Sequence, residues 1–153
     1  MTTVLISSCR VNRIVNGQQQ GKWIYITEEV EKSVTRLAKN GFLSGKIMQK
    51  GYNYKGRFNK GKEVGIWRYY LNGKLVRKEK YNGEMANVRF YHENGKIESE
   101  GKTWTDNSPK HVHWYYSGNW NFYDTSGSLV VTRQYEKGEI INEVDYKNNK
   151  EWK

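Results

Sequence analysis

Gly65-Ile66-Trp67-Arg68-Tyr69-Tyr70-Leu71-Asn72-Gly73-Lys74-Leu75-Val76-Arg77-Lys78-Glu79-Lys80-Tyr81 reads as a hairpin. Aromatic and β-branched residues stand on either side of Asn72-Gly73, and such residues fit a pleated, half-buried surface. Asn-Gly suits a two-residue type I′ turn, because both positions accept positive φ and the twist of the turn matches that of the strands. A turn of this length places Tyr70 opposite Leu75, Tyr69 opposite Val76 and Arg68 opposite Arg77, and the second strand then returns to a turn at Asn82-Gly83. Cross-strand pairs contribute about 0.2–1 kcal/mol each, so one hairpin alone is marginal and needs neighbours.

The neighbours are written in the same alphabet. Val88-Arg89-Phe90-Tyr91 leads to Glu93-Asn94-Gly95-Lys96-Ile97, and Gly118-Asn119-Trp120-Asn121-Phe122-Tyr123 leads to Ser126-Gly127-Ser128-Leu129. Turn glycines therefore fall at Gly73, Gly95 and Gly127, at intervals of 22 and 32 residues, with Thr103 to Val112 as an inserted loop around the single proline, Pro109. An earlier copy starts at Gly21-Lys22-Trp23-Ile24-Tyr25. Self-similarity at such periods marks a repeat architecture whose units cover one another. The expected fold class is all-β, an antiparallel β-hairpin repeat array. Residues 1–20 are read as an N-terminal segment and residues 21–153 as one repeat domain with an insertion at 103–112.

Two segments stand apart. Over residues 28–39, Val30, Val34, Leu37 and Ala38 fall at helical spacing with Thr27 as N-cap and Asn40-Gly41 as a stop, which predicts a short helix. A further hairpin is the competing reading there. The tail from Asn142 to Lys153 is polar apart from Val144, Tyr146 and Trp152, as befits a fraying edge strand.

Tyr54-Lys55-Gly56-Arg57-Phe58-Asn59-Lys60-Gly61-Lys62-Glu63-Val64-Gly65-Ile66-Trp67 follows the spacing Tyr-x-Gly-x-aromatic-x-x-Gly-Lys-x-x-Gly and resembles a MORN repeat. The later copies, with Tyr-Tyr or Phe-Tyr, then Asn-Gly-Lys, then an apolar residue, are similar to the degenerate MORN repeats of bacterial YwqK-type antitoxins, over roughly residues 45–140. The resemblance implies an elongated or curved meander without a catalytic centre, and an antitoxin or immunity role against a cognate toxin. Other MORN proteins serve as scaffolds or have been linked to membrane lipids.

Composition agrees with a partner-binding sheet. Of 153 residues 36% are hydrophobic, and 12 Tyr and 6 Trp carry much of that content. Residues 1–80 hold 17 Lys/Arg against 5 Asp/Glu, residues 81–153 hold 9 against 11, and the net charge is +10. A field of this sign favours an acidic partner and says nothing of fold. The densest basic and aromatic stretch runs from Lys46 to Tyr81, from which Lys55, Arg57, Phe58, Lys60, Lys62, Trp67, Arg68, Tyr70, Arg77 and Lys78 are taken as candidate partner-binding residues. An acidic protein is the expected partner; a single-stranded nucleic acid, an anionic membrane, or a sheet whose lysines merely face solvent are the alternatives. Arg68 and Arg77, facing each other in the expected register, call for an anionic neighbour.

Chemistry beyond binding finds little footing. His111-Val112-His113 with Asp106 is too sparse a set for a metal, and a surface or capping role is expected. No Gly-x-Ser-x-Gly elbow, P-loop or dinucleotide fingerprint occurs, and Gly56, Gly61 and Gly65 belong to the repeat. The expectation is a non-enzymatic protein without cofactors, cytoplasmic, and able to self-associate through its sheet edges. Cys9, the single cysteine, ends Ile6-Ser7-Ser8-Cys9, which resembles a lipobox. It is read either as a lipidation site of an envelope lipoprotein, accessory to a larger complex, whose start lies upstream, or as a small residue of a first strand.

Overall fold

A computed structural model describes residues 11–38, 41–107, 112–147 and 150–152, and the side chains of 11–26, 52–106 and 114–147. The chain runs through β1 (Arg13–Val15), β2 (Gln18–Ala38), β3 (Gly41–Asn59), β4 (Lys62–Leu71), β5 (Lys74–Asn82), β6 (Met85–Tyr91), β7 (Ile97–Asn107), β8 (Val112–Tyr123), β9 (Leu129–Glu136), β10 (Glu139–Asp145) and β11 (Lys150–Trp152). Every strand pairs antiparallel with the next, so the described residues form one eleven-stranded meander. The fold is all-β.

Local backbone chemistry explains the connections. Asn72 and Gly73 take φ of 49° and 79°, the double positive φ of a type I′ turn. Asn16-Gly17, Lys60-Gly61 and Lys137-Gly138 repeat the pattern. The second expected turn is displaced by one residue: Asn82 pairs with Met85, so Gly83-Glu84 form the bend, with glycine leading as a type II′ turn requires.

Of the two readings of residues 28–39, the helix is not what forms: the segment is strand through Ala38, the end of the described stretch, and pairs with β3 as the hairpin reading expects. Glu29 pairs with Lys50 and the ladder continues to Ala38 opposite Gly41. Val30, Val34 and Thr35 are β-branched, so helical periodicity there competes with residues that lose side-chain freedom in a helix. The pairing with β3 decides. The loop expected at 103–112 is likewise largely strand, since Thr103 to Asn107 pair with Tyr116 to Val112, and the extra length makes a longer hairpin. β1 and the start of β2 lie inside the segment set apart as residues 1–20, and they belong to the same sheet. Cys9 lies outside the described residues.

One face of the sheet carries the aromatic packing. Trp23, Phe58, Trp67 and Tyr69 form one buried cluster, and Ala86, Val88, Trp120 and Tyr135 form a second, with Tyr81 packed against both. Tyr25 stacks on Tyr54 at 4.5 Å between centroids, Tyr54 on Tyr69 at 5.4 Å and Tyr116 on Trp120 at 4.0 Å. The two clusters share a construction. Gly56 faces the three residues Gly65-Ile66-Trp67, and Gly101 faces Gly118-Asn119-Trp120, so the ladder bulges at both places. In each, the indole folds over the facing glycine, and a Cβ there would overlap the ring.

Candidate functional site

Side chains alternate faces along a strand, so the partners across each ladder sort the candidate residues by face. Trp67 pairs with Glu79, Glu79 with Val88 and Val88 with Gly101, which is the aromatic face. One residue over, on the opposite face, Lys55 pairs with Arg68, Arg68 with Lys78, Lys78 with Arg89 and Arg89 with Glu100. Four cations thus stand in direct register across β3, β4, β5 and β6. A parallel line of pairs runs Ile66, Lys80, Asn87 and Lys102.

Glu100 is fully engaged. Its Oε2 accepts from Arg89 Nε at 2.8 Å and its Oε1 from the Tyr123 hydroxyl at 2.9 Å. Among the described residues no carboxylate reaches ion-pair distance of Lys55, Arg68, Lys78, Lys80 or Lys102. Lys55 instead lies over the Tyr70 ring, 5.0 Å from its centroid. Lys78, Lys80, Arg89 and Lys102 line an open groove of about 510 Å³ together with Asn87, Asn119 and Asn121.

Of the residues singled out from the sequence, Lys55, Arg57, Arg68, Tyr70 and Lys78 share this polar face. Phe58, Trp67 and Arg77 do not: Phe58 and Trp67 are core, and Arg77 belongs to the aromatic face. Lys60 sits in a turn where its N–H donates to Gln20 Oε1 at 2.8 Å, and Lys62 opens β4 opposite Asn59. Lys80, inside the basic stretch though not among the ten candidates, joins this face opposite Asn87, whereas Arg89, Lys102 and the three asparagines escaped the sequence reading. Continuing the alternation of β5 into β6 and β7 would have found them; the even charge balance after residue 81 concealed them.

Arg68 does not face Arg77. Tyr70 pairs with Leu75 as expected, but Tyr69 pairs with Arg77, which leaves Val76 as an extra residue and moves Lys78 opposite Arg68. The shift brings Arg77 to 3.8 Å from the centroid of Tyr69 and its Nε to 3.4 Å from Glu79 Oε1. Glu79 is buried, and its Oε2 accepts from the hydroxyls of Tyr69 at 2.6 Å and Tyr81 at 3.0 Å. Burial and the adjacent Glu79 carboxylate push both phenol pKa values well above the usual range. Burial alone would lower the Arg77 pKa, but Glu79 and the surrounding tyrosines outweigh it and raise it. The anion that Arg77 called for is supplied from within the chain.

Among the described residues no group of three His, Cys, Asp or Glu could hold a metal ion. Asp106 pairs with His113 in the ladder, while His111 lies outside the described residues. No helix among the described residues is long and apolar enough to cross a membrane.

No family model and no curated protein matches the chain. Among solved structures it is similar to a point mutant of S. aureus TarM, in complex with fondaparinux, α-GlcNAc-glycerol and UDP, at 21% identity and a TM-score of 0.27. The match covers 58% of this chain and 19% of that one, and at this level of likeness it carries no argument about fold or activity.

Proposed function

We propose that the chain is a non-catalytic binding protein that holds an acidic macromolecule on the polar face of its sheet. The observation that carries this reading is the register of Lys55, Arg68, Lys78 and Arg89 on neighbouring strands, with Glu100 the one carboxylate paired into the row among the described residues. Like charges directly opposite one another destabilise a sheet, so a row of this kind is accounted for when an anion comes to rest on it. The reading as a non-enzyme is supported by the state of the acidic groups near by: both oxygens of Glu100 are occupied, and Glu79 is enclosed by Tyr69, Tyr81 and Arg77. An antitoxin or immunity role rests on the MORN-like resemblance alone.

The test is fluorescence anisotropy with labelled polyanions, namely poly-glutamate, inorganic polyphosphate and an oligonucleotide, at about 50 mM salt and above. Binding that falls steeply with salt is expected, as is its loss in Arg68→Glu/Lys78→Glu but not in Lys137→Glu/Lys147→Glu, whose sites lie in exposed turns. Absence of binding to all three polymers at the lowest salt overturns the reading.

A further inference from the structure

The ligand class can be narrowed, on the footing of the binding role just proposed. We propose that the polar face takes a single-stranded nucleic acid laid across the strands, with phosphates along the Lys55, Arg68, Lys78, Arg89 row and bases against Tyr70, Tyr91 and Tyr123.

The tyrosines form a second row beside the cations. Tyr70, Tyr91 and Tyr123 stand two residues beyond Arg68, Arg89 and Asn121 on β4, β6 and β8, and so on the same face. Each pairs with an apolar residue at the start of the following strand, Leu75, Ile97 or Leu129. Behind each, the following strand carries one extra residue, Val76, Glu98 or Val130. A bulge of this type bends its strand and re-aims the side chains around it. Its recurrence at all three hairpins holds the three rings in equivalent places. Since adjacent strands are about 4.8 Å apart, rings on alternate strands are spaced by about 10 Å, far enough for separated bases to take one each.

Charge next to aromatic rings is the combination that single strands use, because the backbone follows the cations while each base presents a π-face. The amides of Asn87 and Asn119 line the same groove and supply donors and acceptors suited to base edges, and Asn121, whose Oδ1 accepts from Thr132 Oγ1, lines it beside them. An acidic protein fits less well. Protein interfaces are depleted of lysine and place their charges on the rim around an apolar centre, whereas here Lys78 and Lys80 occupy the middle of the patch beside the half-buried Ile66. A duplex would bury its base faces and leave the tyrosines idle.

The experiment titrates the full chain into labelled oligo-dT and oligo-U, a duplex of matched length, polyphosphate and poly-glutamate. Single strands are expected to bind tightest, with log K falling against log salt at a slope of about −2 to −3 for three or four phosphate contacts. Tyr70→Leu and Tyr91→Leu should each weaken the oligonucleotides by about 5- to 150-fold, the worth of one stacked base, and leave polyphosphate binding unchanged; circular dichroism verifies that the variants fold. The proposal is overturned if polyphosphate or poly-glutamate binds as well as the oligonucleotides, if the duplex binds more tightly than the single strand, or if both tyrosine variants bind as the parent does. Poly-glutamate binding without oligonucleotide binding would sink this inference and leave the acidic-partner reading standing, while silence from every polymer would sink both.

Discussion

The indole of Trp67 fills the space that a side chain on Gly56 would need, so that a Cβ added at Gly56 would overlap the ring. Trp120 stands in the same relation to Gly101. Glycine is required at these two sites by crowding, not by backbone angle, and that distinction is measurable.

Gly56→Ala and Gly101→Ala should each cost about 3 kcal/mol, the upper range for overpacking a filled core. Gly65→Ala, where φ is 68° and nothing lies within 4 Å of the added methyl, carries backbone strain alone and should cost about 1–2 kcal/mol. Urea unfolding of the three variants ranks them, and a Gly65→Ala penalty larger than that of Gly56→Ala would contradict the ring placement. Combining Gly56→Ala with Trp67→Ala should be strongly non-additive, because the second change removes the atoms that the first collides with.

Glu79 is the buried anion that Tyr69, Tyr81 and Arg77 converge on. Glu79→Ala should destabilise by about 3 kcal/mol, since it leaves a partly buried guanidinium without its partner. The paired replacement Arg77→Leu/Glu79→Leu should recover most of that loss, because two apolar groups require no ionic partner. Thermal melts of the single and paired variants give the comparison, and equal losses in both would show that the charges themselves are not what matters.

Alkaline pH provides a second probe of the same cluster. Tyr69 and Tyr81 have folded-state pKa values raised above the ordinary value of 10, so their contribution to stability is fully present below about pH 10 and is lost as pH rises towards the folded values. Tyrosinate absorbance should therefore rise in stages, the last of them the ionisation of Tyr69 and Tyr81 together with loss of aromatic circular dichroism. Complete ionisation in the first stage, in a still-folded protein, would exclude the enclosed arrangement.

The cation row carries a cost that a single substitution should relieve. Lys78→Glu places a carboxylate between Arg68 and Arg89, and should stabilise the sheet by about 1 kcal/mol at low ionic strength. The gain should shrink at about 1 M salt, where screening is nearly complete. The same change should abolish polyanion binding. Denaturation midpoints at two salt concentrations test the first part, and an unchanged or lowered midpoint at low salt would show that the row is not electrostatically strained.

The hairpins were legible because their turns are governed by local backbone chemistry. Asn72-Gly73 announces a type I′ turn whatever lies around it, and Tyr70 opposite Leu75 followed directly from it. The register beyond that pair was not legible. Skipping Val76 lets Arg77 reach the Tyr69 ring and Glu79, and that gain depends on Glu79 being held by Tyr69 and Tyr81, which no spacing rule contains. The helix expected over residues 28–39 failed for a related reason. Its four apolar residues have helical spacing, but the ladder with β3 pairs the backbone from Glu29 to Ala38.

By itself, then, the sequence determined an antiparallel array of hairpins with an aromatic face, since turn residues and two-residue alternation act within a few positions of one another. The tertiary structure decided which cations meet. Bulges at Val76, Glu98 and Val130 reset the side-chain alternation, and pairing of β5 with β6 and of β6 with β7 brought Arg89 and Lys102 from the charge-balanced half onto the face already held by Lys55, Arg68 and Lys78. A one-residue slip sends every following side chain to the other face, so the composition of a sheet face is settled by register, and register by contacts distant in the chain.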